Sequence, residues 1–77
     1  MEKEEKYREV LSTIEQLHPG KLRLGVVEVS ALTGDAPGTI YNRISKSAVN
    51  PYPIRFDRAG GRPRALIHDV ALFLAGM

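Results

Sequence analysis

No cysteine occurs among the 77 residues, so a disulfide framework and a thiolate metal site are both excluded, and a reducing cytoplasm is the expected setting. No apolar run approaches the ~20 residues that a membrane-spanning helix needs, and no basic-then-apolar leader is present. Internal repeats and low-complexity stretches are also missing. The two histidines are His18, before a proline, and His68, at an expected helix start. Without a cysteine nucleophile, a glycine-rich phosphate loop, a serine elbow or a metal-ligand cluster, the sequence offers an enzyme no machinery and calls for no metal, cofactor or small-molecule ligand. A chain of this size buries only about 60% of its unfolded surface, which argues against a large substrate cavity.

What is present is globular composition, 43% apolar and 26% charged, with a net charge of only +2. The placement of that charge is more telling than its sum. Up to Leu17 the acids Glu2, Glu4, Glu5, Glu9 and Glu15 outnumber the bases Lys3, Lys6 and Arg8. Between positions 43 and 64 the balance reverses, with Arg43, Lys46, Arg55, Arg58, Arg62 and Arg64 opposed by Asp57 alone. An arginine-rich local excess is the electrostatic footprint expected of a phosphate-rich partner.

Tyr7, Val10, Leu11, Ile14 and Leu17 recur at helical spacing and predict an amphipathic helix over residues 3–17, ended by His18, Pro19 and Gly20. Lys21 to Leu24 reads as a short extended piece. Val26, Val29 and Leu32 mark a second helix that stops at Thr33 and Gly34. A third is expected to start near Pro37, a favoured first-turn residue, and to run to Lys46 or Ser47. Asn50 to Pro53 form a connector. Ile54 to Phe56 and Pro63 to Ile67 read as two short strands of a hairpin turning at Ala59, Gly60 and Gly61. Ile67, Val70, Ala71 and Leu74 predict a closing helix.

The expected fold is therefore mainly α with a small β-hairpin, in the order of a winged helix-turn-helix. It divides into an N-terminal amphipathic helix at 1–18 and a winged helix-turn-helix domain at 21–77. In the segment from Val26 to Arg43, Gly34 supplies the turn, Ser30 the close approach of the two helices, and Val29, Leu32, Ile40 and Ile44 the shared core. At about 100° per residue, Ile40 and Ile44 point inward and Gly38, Thr39, Asn42, Ser45 and Lys46 lie opposite, flanked by Tyr41 and Arg43. With Pro37, these are the candidate recognition residues for double-stranded DNA. Asparagine can pair bidentately with adenine and arginine with guanine or phosphate, while threonine and tyrosine hydroxyls bind phosphate oxygens.

Arg55, Arg58, Gly60, Gly61, Arg62 and Arg64 are the candidate wing contacts. Arginines at a glycine turn suit a narrow minor groove, whose negative potential attracts guanidinium groups. Gly61-Arg62-Pro63-Arg64 is similar to the Gly-Arg-Pro core of AT-hook peptides. The opposing reading makes these arginines surface charge, one of them paired with Asp57.

The stretch from Glu28 to Leu74 resembles the AlpA-like and phage excisionase branch of the MerR-like winged-helix proteins. The residues that carry the resemblance are Glu28 to Gly34, Pro37-Gly38-Thr39-Ile40-Tyr41, Pro53-Ile54-Arg55-Phe56, Asp69-Val70 and Phe73-Leu74. From Tyr52 to Ala71 the chain is also similar to the pyocin-activator family. Two positions depart from the pattern: Ala36 replaces the usual serine or threonine cap, and Phe73 stands where a tryptophan is common. The resemblance implies a DNA-binding protein of a prophage or mobile element. Its expected roles are excisionase, bending attachment-site DNA in DNA recombination with an integrase as partner, and transcription regulation. A protein-interaction adaptor, or the DNA-recognition module of a phage packaging subunit, is the alternative.

The N-terminal helix lies outside that resemblance, and its stripe has two readings. Tyr7, Val10, Leu11, Ile14 and Leu17 either pack back on the domain or form a self-association surface used on DNA.

Overall fold

A computed structural model describes residues 2–45, 48–58 and 61–76. Among them the order is α1 (Glu2–Leu17), β1 (Arg23–Gly25), α2 (Val26–Thr33), α3 (Pro37–Arg43), β2 (Arg64–Leu66) and α4 (Ile67–Leu74). The fold is mainly helical, with one two-stranded antiparallel ribbon. Glu2, Glu4 and Glu5 lie in the first turn of α1, where carboxylates complement the helix dipole. The helix closes with the His18 N–H donating to the Ile14 carbonyl at 2.9 Å, and Gly20 then takes a left-handed φ of 76° that turns the chain into β1.

The registers Arg23↔Leu66, Leu24↔Ala65 and Gly25↔Arg64 define the ribbon. Side chains alternate across a strand, so Leu24 and Ala65 enter the core while Arg23, Arg64 and Leu66 face out. The hairpin expected between Ile54–Phe56 and Pro63–Ile67 is thereby corrected. The 54–56 run is no strand, and its side of the hairpin is reduced to one bridge, in which Asp57 and Arg64 exchange two 2.7 Å backbone hydrogen bonds. The burial of Tyr52 and Ile54 draws that segment into the core and off the edge of β2, and Pro51 and Pro53 have no N–H to give a ladder. The unbroken triplet Arg23–Gly25 takes the pairing instead.

α2 follows β1 without a linker. It stops at Gly34, whose φ of 85° suits glycine and whose N–H donates to the Ser30 carbonyl at 2.9 Å. The Ser30 hydroxyl donates to the Asp35 carbonyl at 2.6 Å and ties the turn to α2. α3 begins at Pro37 as expected and ends at Arg43, short of the expected Lys46 or Ser47. The physical cause is the connector, where the Tyr52 N–H takes the Arg43 carbonyl at 3.1 Å and leads the chain away. Lys46 and Ser47 lie outside the described residues.

One core unites these elements. Ile14, Leu24, Val26, Val29, Ile40, Tyr52, Ile54, Ala65, Ile67, Val70 and Ala71 are buried in a single cluster, with Leu32 and Ile44 packed against it. α1 lies along α4, and Tyr7 Oη is 2.8 Å from His68 Nδ1. Of the two readings of the α1 stripe, packing is therefore the one the fold carries. Ile14 is buried, Tyr7, Val10 and Leu11 are partly covered, and Leu17 alone of the five stays exposed. The part of the stripe left for a self-association surface is Leu17 and the uncovered portions of Tyr7, Val10 and Leu11. Through Ile14, α1 shares the core of the elements that follow it.

Candidate nucleic-acid interface

α3 buries Ile40 and exposes Pro37, Gly38, Thr39, Tyr41 and Asn42, and just past its end Ile44 is half-buried and Ser45 exposed. The helical rotation read from sequence thus places the same residues outward. A Cβ added at Gly38 would have no neighbour within 4 Å, so nothing inside the protein requires glycine there. Lys46 lies outside the described residues.

Arg43, expected as a DNA contact, has partners within the protein. Its Nε donates to the Asn50 carbonyl at 3.0 Å and its Nη2 to the Pro51 carbonyl at 3.2 Å, while the guanidinium lies 5.2 Å from the Tyr52 ring centroid. A forked donor stacked on an aromatic ring and bound to two carbonyls is a clamp for the connector. Those acceptors lie seven and eight residues downstream in an irregular segment, where helical rotation carries no information.

Tyr52, beneath that guanidinium, is a structural residue that sequence reading passed over as part of the connector. Its hydroxyl donates to Asp35 Oδ2 at 2.6 Å and lies 3.3 Å from Thr33 Oγ1. Its ring packs at a tilt on Phe56 and Phe73, with centroids 6.1 and 6.5 Å away. Burial pushes its pKa above the usual value of 10.0, and the hydrogen bond to Asp35 adds to the rise.

The expected wing contacts Arg55, Arg58, Gly61, Arg62 and Arg64 are exposed, and Gly60 lies outside the described residues. The Gly61 N–H donates to the Arg58 carbonyl at 3.0 Å, closing the loop. Asp57 faces Arg23, with Nη2 and Oδ2 4.0 Å apart, rather than pairing with a wing arginine as the surface-charge reading had it. Arg23 carries no signal in the charge profile, since only strand register brings it to this face.

Arg62 and Arg64 join Tyr41 of α3 in lining one open groove of about 710 Å³, with Lys21 and Arg23 also on its wall. Leu22 and Val27, 71% and 69% exposed, and Leu66 line it too. Its one acid, Glu28, is already engaged. The Gly25 N–H donates to Oε1 at 3.0 Å, Lys21 Nζ donates to Oε2 at 3.0 Å, and His18 Nδ1 lies 3.2 Å from Oε2. The Gly25 bond is the main cause holding the Glu28 pKa below 4.5, against partial burial, with Lys21 and His18 assisting. The groove therefore presents arginine and tyrosine to solvent with its carboxylate compensated.

Among the described residues no group of three histidine, aspartate or glutamate side chains could hold a metal ion, and no helix is long and apolar enough to cross a membrane. No family model matches the sequence, and neither a curated protein nor a solved structure is detectably similar to it.

Proposed function

We propose that this chain is a winged helix-turn-helix protein that binds double-stranded DNA sequence-specifically. The exposed face of α3 enters a major groove, and the 58–64 loop lies on the adjacent backbone and minor groove. The observation that carries this reading is the shared groove, because Tyr41 of α3 and Arg62 and Arg64 of the loop face one open, arginine-lined space. Tyr41 is the α3 residue in that groove; on the same exposed helix, outside the groove's lining, Asn42 is the candidate base reader, Thr39 and Tyr41 are hydroxyl donors to phosphate, and Gly38 admits close backbone approach. Arg43 is assigned to the fold.

The resemblance over residues 28–74 supports a cytoplasmic protein of a prophage or mobile element, acting as excisionase, with an integrase as partner, or as transcription regulator. Both roles use the same surface and no catalytic step. Fluorescence anisotropy with duplexes from the flanking genomic region tests the reading. Affinity should fall steeply and linearly on a log–log salt plot and should differ between sequences. Binding that is absent or insensitive to salt would defeat it. A genome-wide map of binding sites separates excision, with sites confined to an attachment region, from regulation, with sites over promoters, and measured bending at either tests the architectural role.

Exposed Leu22 and Val27 favour a second reading, a protein-facing adaptor, because clustered apolar side chains mark contact surfaces. The arginines around them make DNA the stronger reading.

A further inference from the structure

The charge profile confines the basic surface to the stretch between Arg43 and Arg64, but the ribbon moves its centre. Arg23 of β1 is the register partner of Leu66 and shares the outer face with Arg64. Beside that face is a depression of about 530 Å³ walled by Arg23, Arg55, Arg58 and Arg64, with Asp57 and Asp69 as its acids. Four arginines and two aspartates thus line it. The one ion pair formed among these groups is Arg23 with Asp57, at 4.0 Å and with both side chains well exposed, so it holds neither partner firmly. An excess of arginine with so little internal neutralisation favours an incoming anion. Guanidinium forks match the oxygens of a tetrahedral phosphate.

We propose that this depression seats a phosphate group, and that in the complex the group is a backbone phosphodiester of the bound duplex, held by Arg23 of β1 together with Arg55, Arg58 and Arg64. The seat deepens the DNA reading and rests on it for the identity of the ligand. It extends the contact surface from α3 and the loop onto a strand that precedes both in the chain, so the duplex backbone passes across the ribbon. Base sequence plays no part there, and Arg23 contributes to affinity equally on every sequence.

The test is a titration of the full-length labelled chain, following arginine Nε–H signals. Inorganic phosphate, a chloride control of equal ionic strength and a short duplex are added separately. The Arg23 and Arg64 signals should move with phosphate and with duplex but not with chloride. Arg23→Gln should lower the salt slope of duplex binding by about 0.9, the value of one phosphate contact, and weaken all sequences by the same factor. An Arg23 signal unmoved by phosphate, or equal shifts with chloride, overturns the seat. Duplex binding with Arg23 silent, or an unchanged salt slope in Arg23→Gln, also overturns it while leaving the DNA reading intact. Phosphate shifts at Arg23 without binding to any duplex would sustain the phosphate seat and defeat the DNA reading.

Discussion

Tyr52 donates a 2.6 Å hydrogen bond to the carboxylate of Asp35, and the contact fastens the connector after α3 to the turn before it. The two ends of α3 are thereby held by one side-chain pair, with Arg43 stacked above the same ring. This half-buried polar contact joins the insertion of Ile40 in fixing α3 on the core.

Tyr52→Phe removes the donor and leaves Asp35 without that partner. A charge-assisted hydrogen bond is worth about 2 kcal/mol, which for a domain of this size lowers Tm by about 10 °C. Thermal unfolding checks this. The wild type should also lose stability at alkaline pH. A phenol whose folded pKa is raised contributes stability that is complete below the unfolded value near 10.0 and lost as pH rises through the folded value. Tyr52→Phe should lack that component.

Glu28 gives the opposite dependence. Its folded pKa is lowered, so its contribution is complete above the unfolded value of about 4.5 and is lost as pH falls through the folded one. Glu28→Gln should cost about 1 kcal/mol near neutrality, a value typical of a helix-start hydrogen bond. Denaturant titrations should show the gap between variant and wild type closing in acid. A gap of constant size would remove the carboxylate from this account.

Arg43→Lys keeps the charge and loses the fork. We expect a loss of about 1–2 kcal/mol in stability from the two carbonyl contacts and the stacking, with sequence preference on DNA unchanged. A competition assay over a randomised duplex pool, read beside a melting curve, separates the two effects. Altered base preference in a fully stable variant would return Arg43 to the recognition surface.

Gly38→Ala tests close approach from the other direction. The free protein has room for the methyl group, and alanine gains about 1 kcal/mol of helix propensity, so Tm should hold or rise. Duplex affinity should nevertheless fall, because the added carbon meets the partner and nothing in the protein itself.

Asn42→Ala is expected to relax preference at one base position by about 1–3 kcal/mol. Arg62→Ala and Arg64→Ala should instead weaken every sequence and reduce the salt slope. Anisotropy on matched and single-substituted duplexes distinguishes these patterns.

Helix positions were legible because the apolar spacing is regular and the ends are marked by Gly20, Gly34 and Pro37, residues whose backbone preferences act locally. The outward set on α3 was legible for the same reason. Pairings distant in sequence were not. β1 looked like a scrap of extended chain because its partner β2 lies far along the sequence, and the apolar 54–56 run supplied a nearer, mistaken partner. The stripe on α1 was visible, whereas its landing place on α4 was not. Arg23 and Arg43 show the limit for the site. Charge counting finds arginines, but register brought Arg23 onto the basic face and two irregular-segment carbonyls drew Arg43 toward the connector.

The position of Arg64 has a mechanical consequence. Its backbone is bridged to Asp57 on one side, and on the other its register partner is Gly25, the residue from which α2 starts. A pull on Asp57 is therefore handed by backbone pairing at Arg64 to the root of α2, in parallel with the Arg23↔Leu66 and Leu24↔Ala65 pairs of the ribbon.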